Sequence, residues 1–133
     1  MNKDVIISYE KSYTDDLGKH IPNIFTNKHI TIRTYWEHAI DAFYSFNCYN
    51  YFTCLSGDIR IVTAYDEGNE NWKFSQYYLS GMDGKIIKVK TEAIFGIHNI
   101  GDSKATLMTG TDTDIVQFDR LSARIFNWHS KRS

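Results

Sequence analysis

The sequence predicts an all-β protein of one domain, and three observations support this class. Its 133 residues are 42% hydrophobic and 15% aromatic, with nine Tyr, eight Phe and three Trp. Aromatic and β-branched residues favour strands, and long stretches of good helix formers are few. Roughly nine short segments of alternating polarity, separated by polar turns, are typical of a β-sandwich or barrel.

The N-terminal 29 residues precede the regular pattern. They contain the single proline, Pro22, a few residues after Gly18. We expect residues 1–29 to form an arm or a lead-in of short strands, of the kind that often pairs with a partner subunit. Residues 30–128 are then the barrel domain, and residues 129–133 are expected to be a disordered tail.

The remaining segments follow one another closely along the chain. Ser56-Gly57-Asp58 is a turn signal, Asp66 to Asn71 is a polar loop, and Ser80 to Gly84 is a second turn. Between such turns, period-two alternation places Ile59 and Ile61 on one face and their neighbours on the other. The predicted strands are Ile30 to Glu37, Ala42 to Tyr49, Tyr51 to Leu55, Ile59 to Ala64, Trp72 to Leu79, Lys85 to Thr91, Ile94 to Asn99, Ala105 to Thr109 and Ile115 to Phe118. Leu121 to Trp128 suits a short helix or an edge strand that packs on the barrel.

Charge and cysteine content exclude several classes of function. The chain has 15 Lys and Arg against 16 Asp and Glu, which argues against non-specific binding to nucleic acid or to an anionic membrane. No apolar run reaches the roughly 18 to 20 residues of a membrane span, and the N-terminus lacks the apolar stretch of a signal peptide. These features predict a cytoplasmic protein. Cys48 and Cys54 are expected to be small apolar residues without a chemical role.

Several motifs between Ile30 and Trp128 occur at a distinctive spacing: Leu79-Ser80, the turn from Asn99 to Asp102, and the closing segment Ala123 to Trp128. This spacing resembles that of the cupins, and in particular the deoxythymidine-diphosphate 4-keto-sugar 3,5-epimerases and their ketoisomerase relatives. Gly57 fits the glycine that ends the first cupin motif, and Asn99 fits the asparagine that ends the second. The resemblance implies a cupin jelly-roll barrel with a ligand cavity at its mouth, assembled as a homodimer.

The same alignment predicts that the protein holds no metal and needs no cofactor. In metal-dependent cupins a divalent ion is held by imidazole and carboxylate groups. The four corresponding positions here are Tyr44, Phe46, Asn50 and Phe95. Three aromatic side chains cannot form such a shell.

The resemblance also identifies candidates for catalysis. The related epimerases abstract a proton next to a ketone with a His, and their Arg-Gly-Leu-His motif corresponds to residues 33–36. Arg33 is kept and would face the nucleotide, whereas Trp36 stands where the base is expected. His38 shares a face with Trp36 if the strand continues, so we expect His38 and Asp41 to act as a displaced base and its orienter. The alternative is an exposed loop with His38 in solvent.

An unusually aromatic set of side chains is expected to line the interior. Such walls stack on bases and on sugar faces, although they are equally compatible with a plain core. His98 is predicted to face away from the cavity of Phe95 and to be structural. The expected substrate-binding residues are Arg33, Tyr35, Trp36, Tyr44, Phe46, Tyr51 and Phe95.

The sequence thus predicts a metal-independent, epimerase-like cupin that binds a nucleotide-activated keto-sugar. Three hypotheses remain open. The first is an enzyme that epimerises or ketoisomerises the sugar by moving a proton, and the second is a binding or accessory cupin that has lost the catalytic base. The third is a purely structural assembly domain.

Overall fold

The computed structural model describes residues 4–22, 25–113 and 117–129. In these ranges the chain forms twelve strands and one short 3-10 helix, so the predicted all-β class is confirmed. The strands are β1 (Val5–Tyr9), β2 (Tyr13–Asp15), β3 (Gly18–His20), β4 (His29–Tyr35), β5 (Ile40–Phe46), β6 (Asn50–Ser56), β7 (Asp58–Asp66), β8 (Trp72–Ser80), β9 (Lys85–Val89), β10 (Ile94–Asn99), β11 (Ala105–Thr111) and β12 (Phe118–Arg120), and the helix is Ala123–Ile125.

Ten of these strands form two five-stranded antiparallel sheets. The first sheet has the order β1-β9-β6-β11-β4 and the second the order β12-β5-β10-β7-β8, while β2 and β3 form a separate hairpin. Side chains from both sheets meet in one core, which includes Phe52 and Leu107 from the first sheet and Ile59 and Phe95 from the second. The sheets therefore face each other with an apolar interior between them.

The second sheet is also covered on its outer face. On β7, Ile59 and Ile61 join the core between the sheets, whereas Val62 and Ala64 join a second cluster with Trp128. The alternation predicted for this strand is confirmed. The C-terminal segment provides the cover, in line with the prediction that it packs on the barrel.

Two turns hold one end of the barrel together. Gly57 links β6 to β7 with a φ of +83°, and a Cβ there would lie 2.8 Å from the Cβ of Ala105. The Nδ2 of Asn99 lies 2.9 Å from the carbonyl oxygens of both Trp36 and Ser103. One fully buried amide thus ties the end of β4 to the turn before β11.

Several boundaries differ from those predicted. The first expected strand ends at Tyr35, two residues early, and β1 of the expected arm pairs with β9 of the same chain. The last expected strand began at residue 115, but residues 114–116 lie outside the described residues, as do residues 130–133 of the expected tail. Among the described residues, no helix is long and apolar enough to cross a membrane.

Candidate functional site

A cavity of about 350 Å³ opens between the two sheets. Strands β4, β6 and β11 contribute to it from the first sheet, and β5 and β10 from the second. It is lined by Thr31, Arg33, Tyr35, Asp41, Tyr44, Phe46, Asn50, Phe52, Phe95, Ile97, Thr109 and Thr111.

One side of the cavity is apolar and aromatic. The rings of Phe46 and Phe95 stack with centroids 5.6 Å apart, and Phe52 meets Phe95 edge-on at 5.3 Å. We refer to these three residues as the aromatic wall. Phe118 of β12 stacks on the outer side of Phe46 at 5.3 Å and continues the row towards solvent. Rigid rings of this kind can pack against the apolar face of a sugar at a low entropic cost.

Next to this wall is a polar corner formed by Arg33, Tyr35, Asp41 and Tyr44, in which the ring centroid of Tyr44 lies 5.8 Å from that of Phe46. The phenol of Tyr35 donates to Asp41 Oδ2 at 2.8 Å, and the phenol of Tyr44 donates to Asp41 Oδ1. A guanidinium nitrogen of Arg33 lies 3.4 Å from Asp41 Oδ2. A single carboxylate therefore accepts from two phenols beside a cation.

The two phenols are neutral donors at physiological pH. Burial raises the pKa of Tyr35, and the neighbouring Asp41 carboxylate raises it further. Burial and the hydrogen bond to Asp41 likewise raise the pKa of Tyr44. Both shifts disfavour a phenolate beside the carboxylate, so each proton stays on its phenol and points at Asp41.

An irregularity in strand pairing brings Asp41 and Tyr44 to the same cavity. Phe95 pairs with Tyr44 and Ile97 with Asp41, so three steps along β5 match two steps along β10. Residues separated by an odd number would face opposite sides of a regular strand. The extra residue is a β-bulge that turns both side chains inward.

Arg33 stands at the exposed rim of the cavity. Its side chain is 63% exposed, and its guanidinium lies 4.8 Å from the ring centroid of Tyr35. A second cation, Arg120 of β12, lies 5.2 Å from the ring centroid of Tyr44. These two arginines supply positive charge next to the opening, where an anionic part of a ligand would lie.

The structure brings most of the expected site residues together. Asp41, Arg33 and Tyr35 line the cavity, as do all four residues aligned with the metal-ligand positions: Tyr44, Phe46, Asn50 and Phe95. Among the described residues, no group of three His, Cys, Asp or Glu side chains is arranged to hold a metal. The expectation of no metal and no cofactor stays a prediction.

His38, Trp36 and Tyr51 are not part of this cavity lining. Strand β4 ends at Tyr35, and His38 has a φ of +60°, so the alternation assumed for this segment does not continue. The imidazole of His38 is exposed and lies 3.4 Å from Asp102, so the structure does not support the expected pairing of His38 with Asp41. The position of His38 agrees with the alternative given above, an exposed loop with His38 in solvent.

Trp36 and Tyr51 contact lysines outside the cavity. Trp36 is 66% exposed, with Lys104 lying 4.5 Å from its ring centroid. Tyr51 lies between two cavity-lining residues of β6 and therefore points to the outer face, where Lys88 is 5.3 Å from its ring centroid. Neither side chain can contact a ligand in the cavity without a rearrangement.

Three threonines of the lining were not singled out from the sequence. Thr31 precedes Arg33 and Tyr35 by even numbers of residues, so alternation along β4 would have found it. Thr109 and Thr111 follow the buried Leu107 in the same way on β11. Their hydroxyls add short polar groups to the rim.

His98 lies on the opposite face of the second sheet, as predicted. Its Nδ1 is 2.7 Å from a guanidinium nitrogen of Arg60, and that nitrogen also donates to the carbonyl oxygen of Trp128 at 2.8 Å. Arg60 contacts Gln76 as well, at 3.0 Å. Burial, with Arg60 as the next contribution, lowers the pKa of His98 from 6.5 to about 4. The imidazole is therefore a neutral acceptor in a structural cluster.

Comparisons with known proteins establish the fold. No protein-family model matches the chain, and no curated protein matches its sequence. Solved structures do match: a dTDP-sugar isomerase from Desulfovibrio desulfuricans superposes with a TM-score of 0.77 at 15% identity, covering 98% of this chain and 94% of that one. The chain therefore has a cupin jelly-roll fold, which confirms the fold expected from the motifs.

Two further solved structures have a similar fold. A dTDP-4-dehydrorhamnose 3,5-epimerase from Sulfolobus tokodaii gives a TM-score of 0.78 at 10% identity, covering 98% of this chain and 84% of that one. A sugar 3,4-ketoisomerase from Thermoanaerobacterium thermosaccharolyticum, solved in complex with TDP, gives a TM-score of 0.74 at 13% identity. The match covers 94% of this chain and 93% of that one. The fold is that of the dTDP-sugar epimerases and isomerases.

Proposed function

We propose that this protein is a metal-independent, epimerase-like cupin that binds a nucleotide-activated keto-sugar in the cavity between its sheets. The observation that carries the proposal is the cavity itself, in which the aromatic wall lies next to the polar corner. Its volume of about 350 Å³ lies within the usual range of small-molecule sites. Solved proteins of the same fold include dTDP-sugar enzymes, which supports this class of ligand.

Each part of the cavity suits one part of such a ligand. The aromatic wall packs on a sugar face, and the carboxylate and phenols of the polar corner form hydrogen bonds with hydroxyl and carbonyl groups. The exposed guanidinium of Arg33 stands at the rim, where it would bind the diphosphate. The nucleotide itself then lies outside the cavity.

Binding can be measured by thermal shift and calorimetry with TDP and with TDP-4-keto-6-deoxyglucose. A ligand at 100 times its Kd stabilises the native state by about 2.7 kcal/mol, which is a clear rise in Tm. Arg33→Gln should weaken the binding of both compounds. Arg124→Gln, which removes an exposed arginine of the C-terminal segment, is the matched control and should bind as the wild type does. Absence of binding by the wild type would rule the proposal out.

Catalysis separates the enzyme from a binding protein of the same fold. An enzyme that abstracts a proton next to the ketone exchanges that position with solvent deuterium, whereas a binding or accessory cupin is stabilised by the ligand without exchange. The presence of Asp41 inside the cavity, within reach of a bound sugar, favours the enzyme.

We further propose that the protein forms a homodimer through the first sheet. Strand β4 ends that sheet, with β11 as its neighbour among the described strands, and Ile30 and Ile32 are 49% and 61% exposed on it. An uncovered apolar edge of this kind favours association. Ile32→Lys should shift sedimentation equilibrium towards the monomer, and Leu17→Lys, in the exposed β2-β3 hairpin, should not. A wild-type monomer would contradict this proposal.

We also propose that the protein is cytoplasmic. Cys48 and Cys54 are both free thiols, in agreement with a reducing compartment.

A further inference from the structure

The groups of the cavity that can transfer a proton all lie in the polar corner. Among the described residues that line the cavity, these groups are the carboxylate of Asp41 and the phenols of Tyr35 and Tyr44. They are in mutual contact through the two carboxylate oxygens. The other lining residues carry apolar rings and chains, threonine hydroxyls, an amide and a guanidinium.

We propose that Asp41 is the catalytic base of this cavity, that Tyr44 is its acid, and that together they move a proton between neighbouring carbons on one face of the sugar. This inference rests on the proposed function and assigns its chemistry. Tyr35 is a positioning residue, because its phenol binds the second oxygen of Asp41, Oδ2, while Tyr44 binds Oδ1.

The proton transfers balance without any further reactant. Asp41 takes the proton from the carbon next to the ketone, the electrons of that C–H bond form a carbon–carbon double bond, and Tyr44 gives its phenolic proton to the ketone oxygen. The product is a neutral enediol when the neighbouring carbon carries a hydroxyl. The Tyr44 phenolate then removes that hydroxyl proton, the ketone forms there, and Asp41 returns its proton to the former carbonyl carbon. Both residues end as they began.

The Asp41 carboxylate can accept a proton from the substrate while it is hydrogen-bonded to the two phenols. Each of its oxygens has more than one acceptor site, so one site can accept from a phenol while another faces the substrate. Tyr44 is a neutral acid because burial and Asp41 raise its pKa, and Arg120, 5.2 Å from its ring centroid, stabilises the transient phenolate.

The placement of these groups determines the stereochemical outcome. Inversion at a carbon requires an acid on the face opposite to the base. Among the described lining residues, the groups that can exchange a proton are Asp41 and the two phenols bound to it, so none of them is held on a separate side from the base. A base and an acid at one corner can instead move a proton along a single face, which is a ketoisomerisation. The proposed substrate is thus a nucleotide-activated sugar with a hydroxyl beside its ketone.

The test follows TDP-4-keto-6-deoxyglucose in D₂O by NMR, with calorimetry of TDP binding on the same samples. We expect the wild type to form the 3-keto isomer with deuterium at C4, and to form no 4-keto epimer inverted at C3 or C5. Asp41→Asn and Tyr44→Phe should each lower the rate at least 100-fold while binding TDP as the wild type does. Tyr35→Phe should lower kcat with little change in KM, because it misplaces the base without removing it.

His38→Ala provides the decisive comparison, and Asp102→Asn is a carboxylate control at a fully exposed site. Both should retain the wild-type rate. If the wild type binds TDP but does not turn over the sugar, the roles proposed for Asp41 and Tyr44 are wrong, and the proposed binding function still stands. Three other results would also overturn these roles: full activity of Asp41→Asn, loss of activity in His38→Ala, or a 4-keto product inverted at C3 or C5. Failure to bind either compound would instead remove the proposed function itself.

Discussion

The buried contact between Arg60 and His98 makes the stability of the protein depend on pH in a way that can be calculated. The pKa of His98 falls from 6.5 to about 4 because the ring is buried and lies beside Arg60, with His38 and His129 adding smaller effects of the same sign. Between pH 6.5 and about 4, the imidazole of His98 is therefore mostly neutral in the native state and mostly protonated in the unfolded chain.

The size of the effect follows from linkage. Above pH 6.5 the ring is neutral in both states, so His98 makes no difference to the free energy of unfolding. Between pH 6.5 and about 4 the unfolded chain binds a proton that the native state excludes, and stability falls. Each pKa unit corresponds to about 1.4 kcal/mol, so the loss from this residue approaches about 3 kcal/mol.

The measurement is urea unfolding of the wild type and His98→Asn at several pH values between 7 and 4. The side-chain oxygen of Asn can accept the same hydrogen bond from Arg60 and does not titrate. The variant should be less stable at pH 7, because it loses the edge-on contact of the ring with Trp128. Its stability should then fall less than that of the wild type as the pH drops. Parallel curves for the two proteins would refute the reasoning.

Three substitutions, with Gly101→Ala as the control for the third, test the packing that positions the site. Phe43→Ala should destabilise the protein by about 3 to 5 kcal/mol in urea unfolding, because Phe43 is fully buried against Trp128. Asn99→Ala should cost about 3 kcal/mol and raise amide hydrogen exchange around Trp36, since the carbonyl oxygens that its amide contacts lose a partner. Gly96→Ala should lower Tm strongly, because the new Cβ would lie 2.4 Å from the Cβ of Ala42, whereas Gly101→Ala should have a small effect.

The regular part of the fold was predictable because alternation is a local property. The two faces of β7 follow from period two, and the same rule placed His98 away from Phe95. Turn residues such as Gly57 mark strand ends without reference to the rest of the molecule. These features depend only on a few residues that are neighbours in the chain, so they can be predicted from the sequence.

The site was predictable only in part, because it depends on where alternation fails. The prediction for His38 assumed that β4 continued past Tyr35, and the chain instead turns there with a positive φ at His38. The same assumption put Trp36 in the cavity. Nothing in the alternating pattern marks the residue at which a strand stops. The contact seen at this point, from Asn99 to the carbonyl oxygen of Trp36, comes from a distant part of the chain.

Asp41 was identified for a different role from the one its surroundings indicate. It was expected to orient an imidazole, but it reaches the cavity with Tyr44 because β5 carries one more residue than β10 at the bulge. Sequence alternation alone would put Asp41 and Tyr44 on opposite faces. A bulge changes the direction of side chains without any necessary change in composition, so this pairing becomes visible only in three dimensions.

The bulge connects the outer packing of the barrel to the proposed chemistry. Ala42 and Phe43 lie between Asp41 and Tyr44 in the chain and face outward, where they pack with Trp128. Gly96, opposite them on β10, leaves the space that Ala42 occupies, because any Cβ there would overlap it. The spacing of the base and acid inside the cavity is thus fixed by contacts on the other side of the sheet. A change at Gly96 should therefore alter catalysis as well as stability, although Gly96 does not line the cavity.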